Sequence, residues 1–203
     1  MKKIFLSALP LAMIFTLGSI GPMTGELPIG AGLPKADVKM HEVSGKEVSF
    51  NDVKKPGGLL VMFICNTCPV VTKNEQRIGE ILKEAISKNV GVILLNSNEG
   101  TREDGESMND MKELAKEQGF VSPYVLDKNS VMADAFGAMR TPECFLFDKE
   151  WKLVYHGAID DNPGNATAVS RKYLSEAITA MLGGKTITPQ VTHSIGCGIK
   201  RRD

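Results

Sequence analysis

Val61-Met62-Phe63-Ile64-Cys65-Asn66-Thr67-Cys68-Pro69 joins an apolar run to the start of an amphipathic segment, and two cysteines fall at the junction. A strand that feeds straight into a helix brings its last residues to the helix N-terminus. Unpaired N–H groups and the positive end of the dipole favour an anion there. A thiol at that point ionises more easily than a free cysteine. The expected arrangement has Cys65 as the acidified, exposed nucleophile and Cys68, inside the first turn, as the thiol that resolves a mixed disulfide on Cys65. Pro69 suits a first turn, where a missing N–H costs nothing. As a structural disulfide the pair would close a very short loop worth only about 2 kcal/mol, and a zinc site would need two more ligands at a spacing that Cys144, Cys197, His41, His156 and His193 do not offer. The pattern therefore points to redox chemistry with no metal and no bound cofactor beyond the dithiol itself.

Outward from the cysteines the chain alternates strands with helices. Residues 59–64 are a solid apolar run bounded by Pro56-Gly57-Gly58, as in a strand buried on both faces. From 70 to about 88, Val71, Ile78, Ile81, Leu82, Ala85 and Ile86 recur at helical spacing, and 90–95 is the next buried strand. This β-α-β unit requires a parallel pair with a right-handed crossover. Upstream, Val38, Met40, Val43, Val48 and Phe50 around Ser44-Gly45-Lys46 suggest an opening hairpin. Downstream the pattern predicts a helix over about 106–118 with Met108, Met111, Leu114 and Ala115 inward, a strand at 124–126, and a small helix over 131–136. A hairpin of 144–147 with 153–156 follows, and then a last helix over about 168–182. The fold class is α/β, a central mixed sheet flanked by helices with an N-terminal hairpin extension.

Lys2 and Lys3 followed by a mostly apolar run to Ile20 read as an export signal over residues 1–22, with Pro10 and Gly18 interrupting what would otherwise be a membrane span. The domain is expected over 30–184, with a tail over 185–203 that carries Cys197. Export to an extracytoplasmic space, the periplasm in a Gram-negative cell, places the four cysteines where disulfides persist. A membrane partner is expected only if the N-terminal segment stays uncleaved. The 203 residues are 42% hydrophobic, and 24 Lys and Arg balance 24 Asp and Glu, so no net field favours nucleic acid.

A strand ending in Cys-x-x-Cys, a following helix, and Thr141-Pro142 entering a later hairpin resemble the thioredoxin superfamily. Within it, residues 63–69, Arg140-Thr141-Pro142-Glu143-Cys144-Phe145-Leu146-Phe147-Asp148 and His156-Gly157-Ala158-Ile159-Asp160-Asp161-Asn162 are similar to the redoxin branch, related to alkyl hydroperoxide reductases. The resemblance covers roughly 30–182, and Gly196-Cys197-Gly198-Ile199-Lys200 also looks like that branch. It implies a thiol-disulfide oxidoreductase with a cis bond before Pro142. Thr141 would then supply backbone hydrogen bonds to a disulfide-bearing protein or small-thiol substrate, with a separate electron donor. By analogy with exported redoxins the expected direction is reduction.

Two departures from the family pattern stand out. A peroxiredoxin carries a Pro seven residues and a Thr or Ser three residues before its peroxidatic cysteine; before Cys65 these positions hold Gly58 and Met62, which leaves peroxidase activity as the alternative. Copper-delivery proteins on this fold, a second alternative, space their cysteines by three residues and add a histidine. Thioredoxins also bury an acid in the strand before the pair; residues 59–64 have none, so Glu143 or a water would move the resolving thiol's proton. For Cys144 and Cys197 three readings stay open. A structural disulfide would close a loop of about 54 residues and contribute roughly 4 kcal/mol. The others are a second redox pair relaying electrons to Cys65 and Cys68, and two unpaired thiols. Asp160-Asp161-Asn162 reads as a turn, and His156 as a hydrogen-bonded strand residue.

Overall fold

The computed structural model describes residues 25–202, so the proposed export signal lies outside the described residues. In chain order the elements are β1 (Met40–Glu42), β2 (Glu47–Val48), α1 (Phe50–Val53), β3 (Leu59–Phe63), α2 (Pro69–Ser87), β4 (Gly91–Asn96), α3 (Met108–Glu117), β5 (Tyr124–Leu126), α4 (Val131–Phe136), β6 (Arg140–Thr141), β7 (Glu143–Phe147), β8 (Leu153–Gly157), α5 (Tyr173–Leu182) and β9 (Cys197–Gly198). Seven strands form one mixed sheet in the order β2-β1-β5-β4-β3-β7-β8, and β6 with β9 forms a separate ribbon. The apolar runs become the central strands. β3 pairs parallel to β4, Leu59 opposite Gly91, and antiparallel to β7, Leu59 opposite Phe147. The opening hairpin forms with Met40 opposite Val48 and joins the sheet through β5.

Period-2 alternation along β3 divides the core between two faces. Leu60 and Met62 pack with Ile78, Ile81 and Leu82 of α2 and with Leu174 and Ile178 of α5, and both Cys65 and Cys68 belong to this side. Val61 and Phe63 face Phe136 of α4, with Phe145 and Phe147 completing an aromatic cluster; Phe136 and Phe145 meet edge-on with centroids 5.1 Å apart. Edge-on pairs of this kind add to the area they bury. Among the described residues no helix is long and apolar enough to cross a membrane.

Three details of the expected helices differ. α3 starts at Met108 because Ser107 caps it reciprocally with Asp110, which leaves Glu106 outside the helix, and Met108 stays out of the core while Met111 is buried. α5 begins at Tyr173 rather than near 168. The preceding turn is pinned by Asp161, whose carboxylate accepts from Ser170 N and whose own N–H donates to Arg171 O. Ile86 lies on the solvent side of α2, 43% exposed.

The tail beyond α5 folds back onto the domain. His156 N donates to Gln190 O and Thr192 N to His156 O, so the chain runs beside β8 before β9 reaches β6.

Candidate active site

The cysteine pair sits past the C-terminal end of β3, beside the parallel end of β4, where an open α/β sheet leaves its crevice. α2 starts at Pro69, within a residue of the expected start, but Cys68 is its N-cap rather than a residue of its first turn, and Cys65 is still in the connection from the strand. The amides expected to acidify Cys65 have another acceptor. Glu106, fully buried, takes Asn66 N at 2.9 Å, Thr67 N at 3.1 Å and the Thr67 hydroxyl at 2.6 Å. Asn96 Nδ2 and Asn98 Nδ2 complete its shell at 2.6 and 3.1 Å. Asn66 is fixed further by donating to Gly105 O and accepting from the Tyr124 hydroxyl.

Within the pair the two thiols are shifted in opposite directions, chiefly by the hydrogen bond they share. The hydrogen bond to Cys68, then burial, then the adjacent Glu106 charge push the Cys65 thiol up, against a hydrogen bond with the Thr141 hydroxyl at 3.0 Å. Cys68 is held well below the ordinary thiol range, first by its hydrogen bond from Cys65 and then, against desolvation, by contacts with Cys197 and by the Val71 and Cys197 amides. No close side-chain capping bond forms at Cys68, so these amides act as nearby partial charges. Both sulfurs are closed off from solvent, Cys65 at 1% and Cys68 at 2% exposure, so burial does not separate them and neither is the exposed thiol expected of Cys65; the surroundings of Cys68 are the ones that favour a thiolate.

Thr141 faces both sulfurs: its hydroxyl meets Cys65, and its carbonyl lies 3.4 Å from Cys68 Sγ. The Thr141–Pro142 bond is cis. The backbone edge of Thr141, expected to pair with substrate, is taken by the protein's own tail, since β9 pairs with β6 with Thr141 opposite Cys197. That pairing brings Cys197 Sγ to 2.6 Å from Cys68 Sγ. The tail cysteine thus meets Cys68 rather than Cys144. Cys144 is fully buried opposite Met62 in β7, where desolvation pushes its thiol up, and all four cysteines are free.

Glu143 lies close in sequence but points away from the sulfurs, because it alternates with Cys144 along β7. Its Oε2 accepts from Met139 N and Arg140 N at 2.8 and 3.0 Å, and its Oε1 meets His156 Nε2 at 2.7 Å. It braces the turn before Thr141 instead of reaching Cys68 for proton transfer. His156 is the hydrogen-bonded strand residue expected, stacked on Phe145, and Asp160 is paired with Arg77 in a buried bridge. Among the described residues no group of three or more His, Cys, Asp or Glu side chains is arranged to hold a metal. A cleft of about 260 Å³ opens beside Pro142, lined in part by Ile159, Tyr173, Thr192 and Ile195.

Sequence reasoning missed Glu106 and the Asn96, Asn98 and Tyr124 groups around it. The visible signal was Asn96-Ser97-Asn98 closing an otherwise apolar strand, with each polar side chain buried in the fold. Buried polar groups need partners, and the partner is Glu106.

Paired thiols at the start of the first long helix, facing a Thr-Pro turn across a mixed sheet, define a redoxin with a thioredoxin-like fold. The chain belongs to the AhpC/TSA family, whose model matches residues 29–156. It is similar to an uncharacterized conserved protein from Geobacillus kaustophilus, 32% identical with a TM-score of 0.80, covering 86% of this chain and 93% of that one. A hypothetical protein from Sinorhizobium meliloti is also 32% identical, with a TM-score of 0.79 and coverage of 88% and 97%. A PrxQ variant from Xylella fastidiosa shares the fold at 16% identity and a TM-score of 0.54, covering 65% of this chain and 86% of that one. No curated protein matches the chain.

Proposed function

We propose that this protein is an exported thiol-disulfide oxidoreductase in which Cys68 is the attacking thiolate. It reduces disulfides of protein or small-thiol partners and is recharged by a separate electron donor. The observation that carries the reading is the placement of Cys68 at the N-cap of α2, in contact with two further thiols, while Glu106 takes the Asn66 and Thr67 amides. A thiolate is the reactive form in disulfide exchange, and a neighbouring thiol must be within reach to release the product. The Lys2-Lys3 start and the apolar run after it support export. Against Cys68 the peroxiredoxin positions hold Cys65 three residues before and Val61 seven before, so a hydroxyl for activating peroxide is missing in this register too.

Insulin reduction with Cys68→Ser and Cys65→Ser tests the assignment. Cys68→Ser is expected to abolish exchange and to trap no mixed disulfide; exchange persisting in Cys68→Ser through Cys65 would reject it. The pH dependence of alkylation has a defined sign. With a depressed folded pKa, Cys68 remains thiolate as pH falls below the ordinary thiol value of about 8.5, so its alkylation rate holds its plateau there while that of a free thiol drops about tenfold per pH unit.

A further inference from the structure

We infer that Cys197 is the thiol that resolves Cys68, and that β9 is a built-in occupant of the edge on which a substrate strand would lie. The inference rests on Cys68 being the attacking thiolate.

Several independent contacts seat the tail in this place. β9 pairs with β6, Ile199 N donates to Met139 O, and Lys200 N donates to Asn98 Oδ1, an amide of the Glu106 cluster. Gly100 N donates to Lys200 O, and Arg201 reaches Asp134 and the Ala138 carbonyl. The fit is close enough to require glycine: a Cβ on Gly196 would lie 2.0 Å from Thr141 O. With β9 seated, these contacts hold the Cys197 sulfur 2.6 Å from that of Cys68, within bond-forming reach.

Cys65 is the competing resolver, and its surroundings disfavour the task. To attack, a resolving thiol must lose its proton. Cys65 is sealed from solvent beside the Glu106 carboxylate, whereas Cys197 is half-buried, open to water that can take the proton, and has the Lys200 charge nearby. Burial and the neighbouring Cys68 still push the Cys197 thiol up. That resistance eases once Cys68 is bonded to substrate and carries no charge.

The electron count closes. Cys68 thiolate attacks one sulfur of a substrate disulfide, that bond breaks, and the departing thiolate takes a proton from water. Cys197, deprotonated to solvent, then attacks Cys68 Sγ; the mixed disulfide breaks, the second substrate thiolate leaves and is protonated, and a Cys68–Cys197 disulfide remains. The substrate gains two electrons and the protein dithiol loses two, to be restored by a dithiol donor. A substrate strand along Thr141 must displace β9, so the return of β9 both delivers Cys197 and expels the product strand.

Glutathione disulfide, treated as a probe, tests this on the full reduced chain. After acid quench and alkylation, trypsin leaves Cys65 and Cys68 in peptide 55–73, Cys144 in 141–149 and Cys197 in 186–200. The expected product is 55–73 crosslinked to 186–200, retained in Cys65→Ser. Cys197→Ser should accumulate glutathione on Cys68 at least about tenfold above Cys65→Ser. A disulfide internal to 55–73 with Cys197 alkylated, a link from 141–149 to 186–200, or equally fast glutathione release from Cys197→Ser and wild type would overturn the inference. Undiminished glutathione disulfide consumption by Cys68→Ser would instead overturn the nucleophile assignment beneath it.

Discussion

The loop carrying Cys65 and Cys68 and the turn carrying Thr141 face each other across the site, and one device holds both. In each, a buried glutamate accepts two backbone N–H groups: Glu106 from Asn66 and Thr67, Glu143 from Met139 and Arg140. They differ in origin and in what else they hold. Glu143 braces a turn three and four residues away and has His156 as its further partner, whereas Glu106 crosses some forty residues of chain to gather donors from two loops. The long-range brace also touches the thiols' surroundings, as a lesser cause beside the hydrogen bond they share. By taking the amides ahead of the helix and placing a carboxylate near Cys65, it leaves the helix N-terminus to Cys68.

Alanine at each glutamate breaks the comparison most directly. Glu106→Ala takes the acceptor from five donors, two of them on the buried Asn96 and Asn98 side chains, and is expected to cost about 4 kcal/mol in urea unfolding, against about 2 kcal/mol for Glu143→Ala, which orphans three groups. Equal losses would show that the two braces carry the same weight and that the long-range one has no special standing.

The contrast also explains what the sequence disclosed. The parallel β3–β4 pair and the β7–β8 hairpin follow from apolar runs and turn residues close together in the chain and appear where the pattern places them, while the opening hairpin forms in a shorter version that leaves Phe50 to start α1. The Thr141 turn is equally local, down to Glu143 beside it. The helix start is not. Cys-x-x-Cys before proline fits a helix opening at either cysteine, and the choice of Cys68 as N-cap comes with Glu106 gathering Asn66 and Thr67 from across the fold. Glu106 itself reads as the first residue of a helix until Ser107 and Asp110 form the cap that excludes it. The partner of Cys197 was hidden for the same reason: β9 is two residues long, and nothing in Gly196-Cys197-Gly198 names Thr141 as its neighbour.

A smaller effect separates the structural and electrostatic roles of the long-range brace. Glu106→Gln removes the negative charge beside Cys65, which lowers that thiol's pKa and should raise its alkylation rate about threefold to tenfold at fixed pH. The hydrogen bond to Cys68 and burial, the larger causes, remain in place and limit the gain. Cys144, fully buried in β7, reports general opening of the domain, so the quantity to follow is the ratio of Cys65 to Cys144 labelling. A ratio that stays at its wild-type value would mean that Glu106 acts only as a brace.

The mildest perturbation falls on the tail rather than on either glutamate. Gly196→Ala places a methyl against the Thr141 carbonyl, and the neighbour is backbone that cannot yield, so β9 must lift from β6. The cost to global stability is expected to be only about 1 kcal/mol, because the residues displaced are few and partly exposed. The cost to the site is larger. With Cys197 withdrawn, Cys68 loses one of its favourable contacts and its cover together, so its accessibility to iodoacetamide should rise while the thiolate becomes somewhat less favoured. Cys68, with its pKa lowered to about 4, stays mostly thiolate at pH 6 as well as at pH 9, so the accessibility effect dominates at both and its labelling speeds up. Labelling of Cys68 that is unchanged at pH 9 in a folded Gly196→Ala protein would mean that the strand over Thr141 does not guard the thiol.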